Sequence, residues 1–154
     1  MPSYEDCRSI EIDAPPEACF AALADVARVP EWQRAVCEVR VLERDADGRA
    51  AVVEYEVDAR VRRVRYRLRQ FYEPPRAVRS EYLGGDFRDF SGEWRFLGAP
   101  DGAGRTRVEL ELDIDPGRFV PRPLRGLIAD AVMGRALRDL KAHVERTAAG
   151  APRG

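Results

Sequence analysis

From residue 62 to residue 72 the chain reads R-R-V-R-Y-R-L-R-Q-F-Y, with Val64, Tyr66, Leu68, Gln70 and Tyr72 on one parity and Arg63, Arg65, Arg67 and Arg69 on the other. Successive strand side chains point to opposite faces, so the alternation predicts a half-buried antiparallel strand. Residues 87–97 repeat it with larger groups: Phe90, Gly92, Trp94 and Phe96 oppose Ser91, Glu93 and Arg95. The same reasoning predicts strands over 8–12, 37–43, 50–58, 77–83 and 106–115. Turn chemistry separates them: Asp45-Ala46-Asp47-Gly48, Glu73-Pro74-Pro75, Gly84-Gly85-Asp86 and Asp101-Gly102-Ala103-Gly104. Short turns between consecutive strands imply a meander of antiparallel neighbours.

Asp13-Ala14-Pro15-Pro16-Glu17 opens a helix, since prolines suit a first turn and carboxylates favour the positive end of its dipole. That helix is expected over 18–24, followed by a second short one over 26–32, interrupted at Pro30. The long C-terminal helix is expected over 121–148. Leu124, Leu127, Ile128 and Ala131 form one apolar stripe on it, and Met133, Leu137, Leu140 and Val144 form another, turned by roughly half a revolution. Gly134 lies between the stripes and is a weak helix former, so the two halves are expected to face different surroundings. Phe119 to Val132 is expected to act as a lid. A sheet with one apolar face must bury it, and the last helix is the element long enough to do so. A curved sheet wrapped around a helix leaves a cavity between them.

A chain of 154 residues is one domain on the usual size prior. Its expected limits are 8–148, with a flexible N-terminus over 1–7 and a flexible tail over 149–154. A formal net charge of -1 argues against a general polyanion binder. No run approaches the roughly 18 apolar residues of a membrane span, and residues 1–7 carry no secretory signal pattern. The three cysteines, Cys7, Cys19 and Cys37, lack metal-type spacing and read as reduced thiols in a cytoplasmic protein.

Several stretches resemble the START-related helix-grip superfamily (SRPBCC), in particular its polyketide cyclase/dehydrase and coenzyme-Q-binding START group. They are Ile12-Asp13-Ala14-Pro15-Pro16-Glu17, Asp25 to Trp32 (D-V-A-R-V-P-E-W), Gly92-Glu93-Trp94-Arg95-Phe96, and Leu137 to Glu145 (L-R-D-L-K-A-H-V-E). The resemblance runs from about Arg8 to Glu145. It implies an α+β helix-grip fold: a curved antiparallel sheet of about six to seven strands around a long C-terminal helix, with two short helices after the first strand. It also implies a hydrophobic ligand held between sheet and helix. Members of the group bind isoprenoid quinones or lipids, close polyketide rings, or act as a bacterial ribosome-association toxin. Fold does not decide among these roles, so the residues must.

The candidate ligand-binding residues are Trp32, Tyr55, Tyr66, Leu68, Ser80, Tyr82, Phe90, Trp94, Phe96, Leu112, Leu124 and Ile128. Tyrosines and a serine on an apolar face favour a cavity over a sealed core, because each buried hydroxyl needs a partner. The arginine ladder faces Glu54, Glu56 and Asp58 on the preceding strand, the pattern of a solvated ion-pair face rather than a phosphate-binding one. His143 is the only histidine and has no neighbouring metal ligand in sequence. Nucleophile, phosphate-loop and zinc signatures are absent from the sequence. The expectation is a non-catalytic carrier or chaperone for a lipid, isoprenoid quinone or aromatic polyketide-like molecule, with no cofactor, no metal and no nucleic-acid partner, and with transient membrane contact. The alternative is an aromatase/cyclase using Tyr66, Arg69 and Tyr82, the arginine being turned inward by a bulge or register slip. The second alternative is a ribosome-association toxin-like protein acting through its outer surface.

Overall fold

A computed structural model describes residues 4–58, 63–98, 104–115 and 133–150. Strand β1 (Tyr4–Ile12) is followed by helix α1 (Pro16–Ala24), a single 3-10 turn (Val26–Arg28) and the short helix α2 (Val29–Trp32). Six strands come next: β2 (Val36–Arg44), β3 (Ala50–Asp58), β4 (Arg63–Glu73), β5 (Ala77–Gly85), β6 (Asp89–Gly98) and β7 (Thr106–Asp115). Helix α3 (Arg135–Gly150) is entered through Met133 and Gly134. The seven strands form one antiparallel sheet in the order β1-β7-β6-β5-β4-β3-β2, the expected meander with the first strand added beside the last.

Parity governs β4 without interruption. Arg63, Arg65, Arg67 and Arg69 are exposed, while Val64, Tyr66, Leu68 and Gln70 are buried. A bulge does occur beside it, but on the partner strand. Arg67 faces Gly84 and Leu68 faces Tyr82, so Leu83 is the extra residue and lies on β5. A bulge bends the strand that carries it. The arginines of β4 therefore stay outside, as their parity predicts, and the inward turn of Arg69 that the cyclase alternative requires does not occur. On the outer face Arg67 meets Glu54 at 2.9 Å and Arg65 meets Glu56 at 3.1 Å. Arg95 gathers Glu93, Glu109 and Glu111 at 2.8, 3.2 and 3.0 Å. This is the ion-pair face that the charge pattern predicts.

The sequence differs from the structure at the chain's start. Tyr4 to Cys7 pair with Ile114 to Glu111, so β1 begins four residues before the strand predicted over 8–12. The register puts Arg8 across from Leu110, an inward position that an apolar alternation would not assign to a charged residue.

Helix α3, with Met133 just before it, covers the concave face through Met133, Ala136, Leu137, Leu140 and Val144, all buried. Each such side chain withdrawn from water contributes about 1.5–3 kcal/mol for the larger ones. The stripe from Met133 to Val144 thus faces the sheet as predicted. The stripe from Leu124 to Ala131, the earlier part of the expected helix and the lid lie outside the described residues. Helix α1 begins with Pro16 in its first turn and buries Cys19, Phe20 and Leu23 against the sheet. Lys141 of α3 donates to the Glu11 carbonyl at 2.8 Å, and Glu145 accepts from the Asp13 amide at 2.9 Å, tying the helix to the end of β1.

Candidate functional site

A row of directly paired residues crosses the middle of the concave face: Gln70 on β4, Ser80 on β5, Gly92 on β6 and Leu112 on β7. The next row is bulkier: Tyr72, Val78, Trp94 and Leu110. Serine and glycine at the centre of the first row leave a hollow in the sheet floor. A methyl on Gly92 would come within 2.7 Å of Leu112 Cδ2 and 3.5 Å of Phe90 Cε1, so glycine keeps that floor open. Above the row lie Leu23 of α1, Val29 of α2, Gln33 and Ala136 of α3. Between the two layers is a cavity of about 90 Å³.

An aromatic cluster forms one wall. Tyr66 stacks on Tyr55 at 5.6 Å and on Phe90 at 5.4 Å, and leans on Phe87 at 5.2 Å. Gly85 makes room for Tyr66. It adopts φ +139°, and a Cβ there would overlap the Arg65 carbonyl and the Tyr66 backbone. Glycine, having no Cβ, permits that close crossing.

The polar groups of the wall are neutral and ordered. The Tyr55 hydroxyl donates to Gln70 Oε1. Gln70 Nε2 donates to the Tyr72 hydroxyl at 3.4 Å, and that hydroxyl donates to the Ala50 carbonyl at 2.7 Å. The hydroxyls of Tyr66 and Ser80 make no hydrogen bond among the described residues, although both side chains are buried. Burial pushes the Tyr66 hydroxyl well above its ordinary pKa; Tyr55 is raised likewise by burial, then by Tyr66 and Tyr72 beside it. Tyr72, nearer the rim, is pushed up to about 12, again chiefly by burial. Among the described residues, no Asp, Glu, Lys, Arg or His side chain lines the cavity.

Residues 12–141 match the family described as polyketide cyclase/dehydrase and lipid transport. The chain belongs to this family. No curated protein matches it. Among solved structures, a START superfamily protein from Mycobacterium smegmatis superimposes with a TM-score of 0.82 at 19% identity, over 92% of this chain and 97% of that one. The Zhui aromatase/cyclase from Streptomyces sp. R1128 gives 0.80 at 22% identity, over 98% and 100%. The di-domain aromatase/cyclase BexL gives 0.68 at 22% identity, over 94% of this chain and 47% of that one. At these identities the likeness establishes the fold, a START-like helix-grip domain.

This member of the polyketide cyclase/dehydrase and lipid-transport family brings Tyr55, Tyr66, Leu68, Ser80, Phe90, Trp94 and Leu112 together at the cavity, as their shared parity predicts. Other expected residues lie elsewhere. Phe96 packs edge-on against Phe20 of α1 at 6.1 Å, filling the space that a ligand would need. The Tyr82 hydroxyl is committed to the Phe87 carbonyl at 2.6 Å. Trp32 faces a groove between α1, α2 and α3, where its ring stacks on His143 at 5.3 Å; burial, then Arg146 and Arg28, lower the histidine's pKa. Trp32 Nε1 is enclosed without an acceptor among the described residues. Leu124 and Ile128 lie outside the described residues. Sequence reasoning did not select Gln33, Gln70 or Gly92 for the cavity. For Gln70 a signal was present: a lone amide among the apolar inward residues of β4.

Among the described residues, no group of three or more His, Cys, Asp or Glu side chains gathers as a metal site. Among the same residues, no helix is long and apolar enough to cross a membrane.

Proposed function

We propose that this protein binds a hydrophobic small molecule between its sheet and helices and acts as a carrier rather than a catalyst. The observation that carries this reading is the cavity itself, aromatic and apolar, hollowed at Ser80 and Gly92 and lined, among the described residues, by no ionisable acid or base other than tyrosine. Sites of this kind obtain affinity from burial, on the order of 25 cal/mol per Å² before losses. General acid–base catalysis needs a group whose pKa lies near the working pH. The residues named for a cyclase do not supply one: Arg69 is exposed on the outer face, Tyr82 is hydrogen-bonded, and burial makes Tyr66 hold its proton more firmly.

A cavity of about 90 Å³ has space for roughly three waters at about 30 Å³ each, whereas drug-sized ligands occupy about 300–1,000 Å³. A whole ligand therefore enters by separating the layer of Leu23, Val29 and Ala136 from the sheet. A lipid, an isoprenoid quinone or an aromatic polyketide fits this reading.

A cyclase is the second reading. It is favoured by the full-length superposition on the Zhui aromatase/cyclase and by a Tyr66 hydroxyl in the cavity wall that has no partner among the described residues.

Native mass spectrometry of freshly expressed protein, followed by solvent extraction, tests the proposal. A co-purifying apolar molecule, or displacement of a fluorescent apolar probe, is the expected result. Protein that is empty and ignores such probes would sink it. Turnover of a polyketide chain that falls sharply in Tyr66→Phe would favour the cyclase.

A further inference from the structure

The hydrogen bonds around Gln70 have a direction that can be derived from one atom. The Ala50 carbonyl has no proton to give, so the Tyr72 hydroxyl must donate its own proton to it. The Tyr72 oxygen is then left as an acceptor, and the group of Gln70 facing it must be the NH₂. That places Oε1 toward Tyr55, which must donate. A backbone carbonyl at the sheet rim thus sets which end of a buried amide faces which neighbour. An amide in isolation would be free to flip; this one is not.

The remaining polar capacity of the floor follows from that orientation. Oε1 of Gln70 is occupied by Tyr55, and one amide hydrogen is occupied by Tyr72. The second amide hydrogen is left over. Ser80 is the direct cross-strand partner of Gln70, and its hydroxyl has no acceptor among the described residues; the Tyr66 hydroxyl has none either. All three can donate, and all three belong to residues that line the same cavity. Next to Ser80 is Gly92, the open point of the floor.

We infer that this floor is a subsite for an uncharged ligand oxygen that accepts hydrogen bonds, a ketone, quinone or ester carbonyl, and that Tyr72 acts as a positioning residue by fixing Gln70. The inference rests on the ligand-binding reading above and narrows it. A hydrocarbon leaves the donors unsatisfied. A carboxylate brings a charge into a cavity that offers no cation among its described lining residues, at a desolvation cost that neutral donors do not offset. A site built to hydrogen-bond a substrate oxygen rejects the analogue that lacks it, because its own buried groups are then unpaired.

The test uses three probes with the same pair of phenyl rings on one carbon: benzophenone, diphenylmethane and diphenylacetate. Calorimetric titration of the full chain is expected to show the ketone binding about tenfold tighter than the hydrocarbon, with the carboxylate weakest. In Gln70→Leu, which leaves the Ser80 and Tyr66 donors in place, the ketone-to-hydrocarbon ratio is expected to fall by at least about threefold. In Tyr72→Phe it is expected to fall about threefold, because the amide is free to flip. A purely structural role for Tyr72 would weaken both probes together and leave the ratio unchanged, which would overturn its positioning role. Ser80→Ala, with an unfolding curve recorded for every variant, keeps the test open if Gln70→Leu fails to fold; an unchanged ratio there overturns the subsite. Equal binding of ketone and hydrocarbon, or preference for the carboxylate, overturns the inference and leaves the ligand-binding reading standing. Binding of none of the three overturns both.

Discussion

The four tyrosines of the concave face should respond to loss of the hydroxyl with different signs. Tyr82, Tyr72 and Tyr55 each donate to a fixed acceptor: the Phe87 carbonyl at 2.6 Å, the Ala50 carbonyl at 2.7 Å and Gln70 Oε1. Replacing any of them by phenylalanine removes a hydrogen bond worth about 0.5–1.5 kcal/mol and strands a partly buried acceptor. Tyr66 differs. Its hydroxyl makes no hydrogen bond among the described residues, while its ring is held by Tyr55, Phe87 and Phe90. Tyr66→Phe keeps those ring contacts and removes a hydroxyl whose loss strands no acceptor among the described residues, a gain of up to about 1 kcal/mol to the extent that the group is desolvated. Water in the cavity reduces the gain toward zero without reversing it. The ligand-free variant is therefore expected to be stabilised by up to about 1 kcal/mol, roughly 2–4 °C in Tm for a domain of this size. Affinity for a carbonyl probe should fall by about 2–10-fold, the loss of one hydrogen bond. Urea unfolding followed by circular dichroism, paired with calorimetric titration, measures both. If Tyr66→Phe destabilises the empty protein as much as Tyr82→Phe does, the hydroxyl has a protein partner and the reasoning about the cavity floor fails.

Alkaline pH should act on the same groups. A tyrosine whose folded pKa is raised stays protonated in the fold while the unfolded chain ionises from about pH 10 upward. Its contribution is fully present below about pH 10 and is lost as pH rises, for Tyr72 through about 12, at about 1.4 kcal/mol per pH unit for each such group. Unfolding free energy measured from pH 9 to 12 should show that decline, less steep by one group in Tyr66→Phe; a flat profile would refute it. Gly85→Ala should cost more than about 2 kcal/mol, since the methyl meets the Arg65 carbonyl and the Tyr66 backbone rather than a mobile side chain; a loss under about 0.5 kcal/mol in urea unfolding would contradict the close crossing. Arg95→Gln should destabilise by about 1–2 kcal/mol by leaving Glu93, Glu109 and Glu111 to repel one another at a partly exposed site. That deficit should shrink in high salt, and a salt-independent loss would assign Arg95 a packing role instead.

Most of the sheet is legible in the parity of its strands. The predicted limits of β3 and β7 coincide with the observed ones, and the exposure of β4 alternates residue by residue as R-V-R-Y-R-L-R-Q implies. Parity is strong evidence because a one-residue slip would exchange an entire face. Where the apolar pattern breaks, the reading breaks with it. Tyr4 to Cys7 join β1 although Arg8 falls on an inward register position. The bulge at Leu83 was conceivable from the glycines that follow it, but nothing local assigns it to β5 rather than β4.

The site was legible as a face and not as a cavity, and the difference lies in the opposing layer. Phe96 and Trp94 share a face on one strand, yet Trp94 borders the hollow while Phe96 is covered by Phe20 from α1. Which inward residue touches a ligand depends on what stands across from it. The same holds more sharply for Gln70. Its chemistry is set by Tyr55, Tyr72 and Ala50, and the last of these acts through a backbone carbonyl that any residue type would provide. Side-chain identity announces a donor or an acceptor, but an amide carries both, and only the proton inventory of its neighbours decides which one remains for a ligand. Ligand chemistry in this fold is therefore written in the direction of hydrogen bonds, a property that exists once the strands are paired and has no counterpart in composition or spacing.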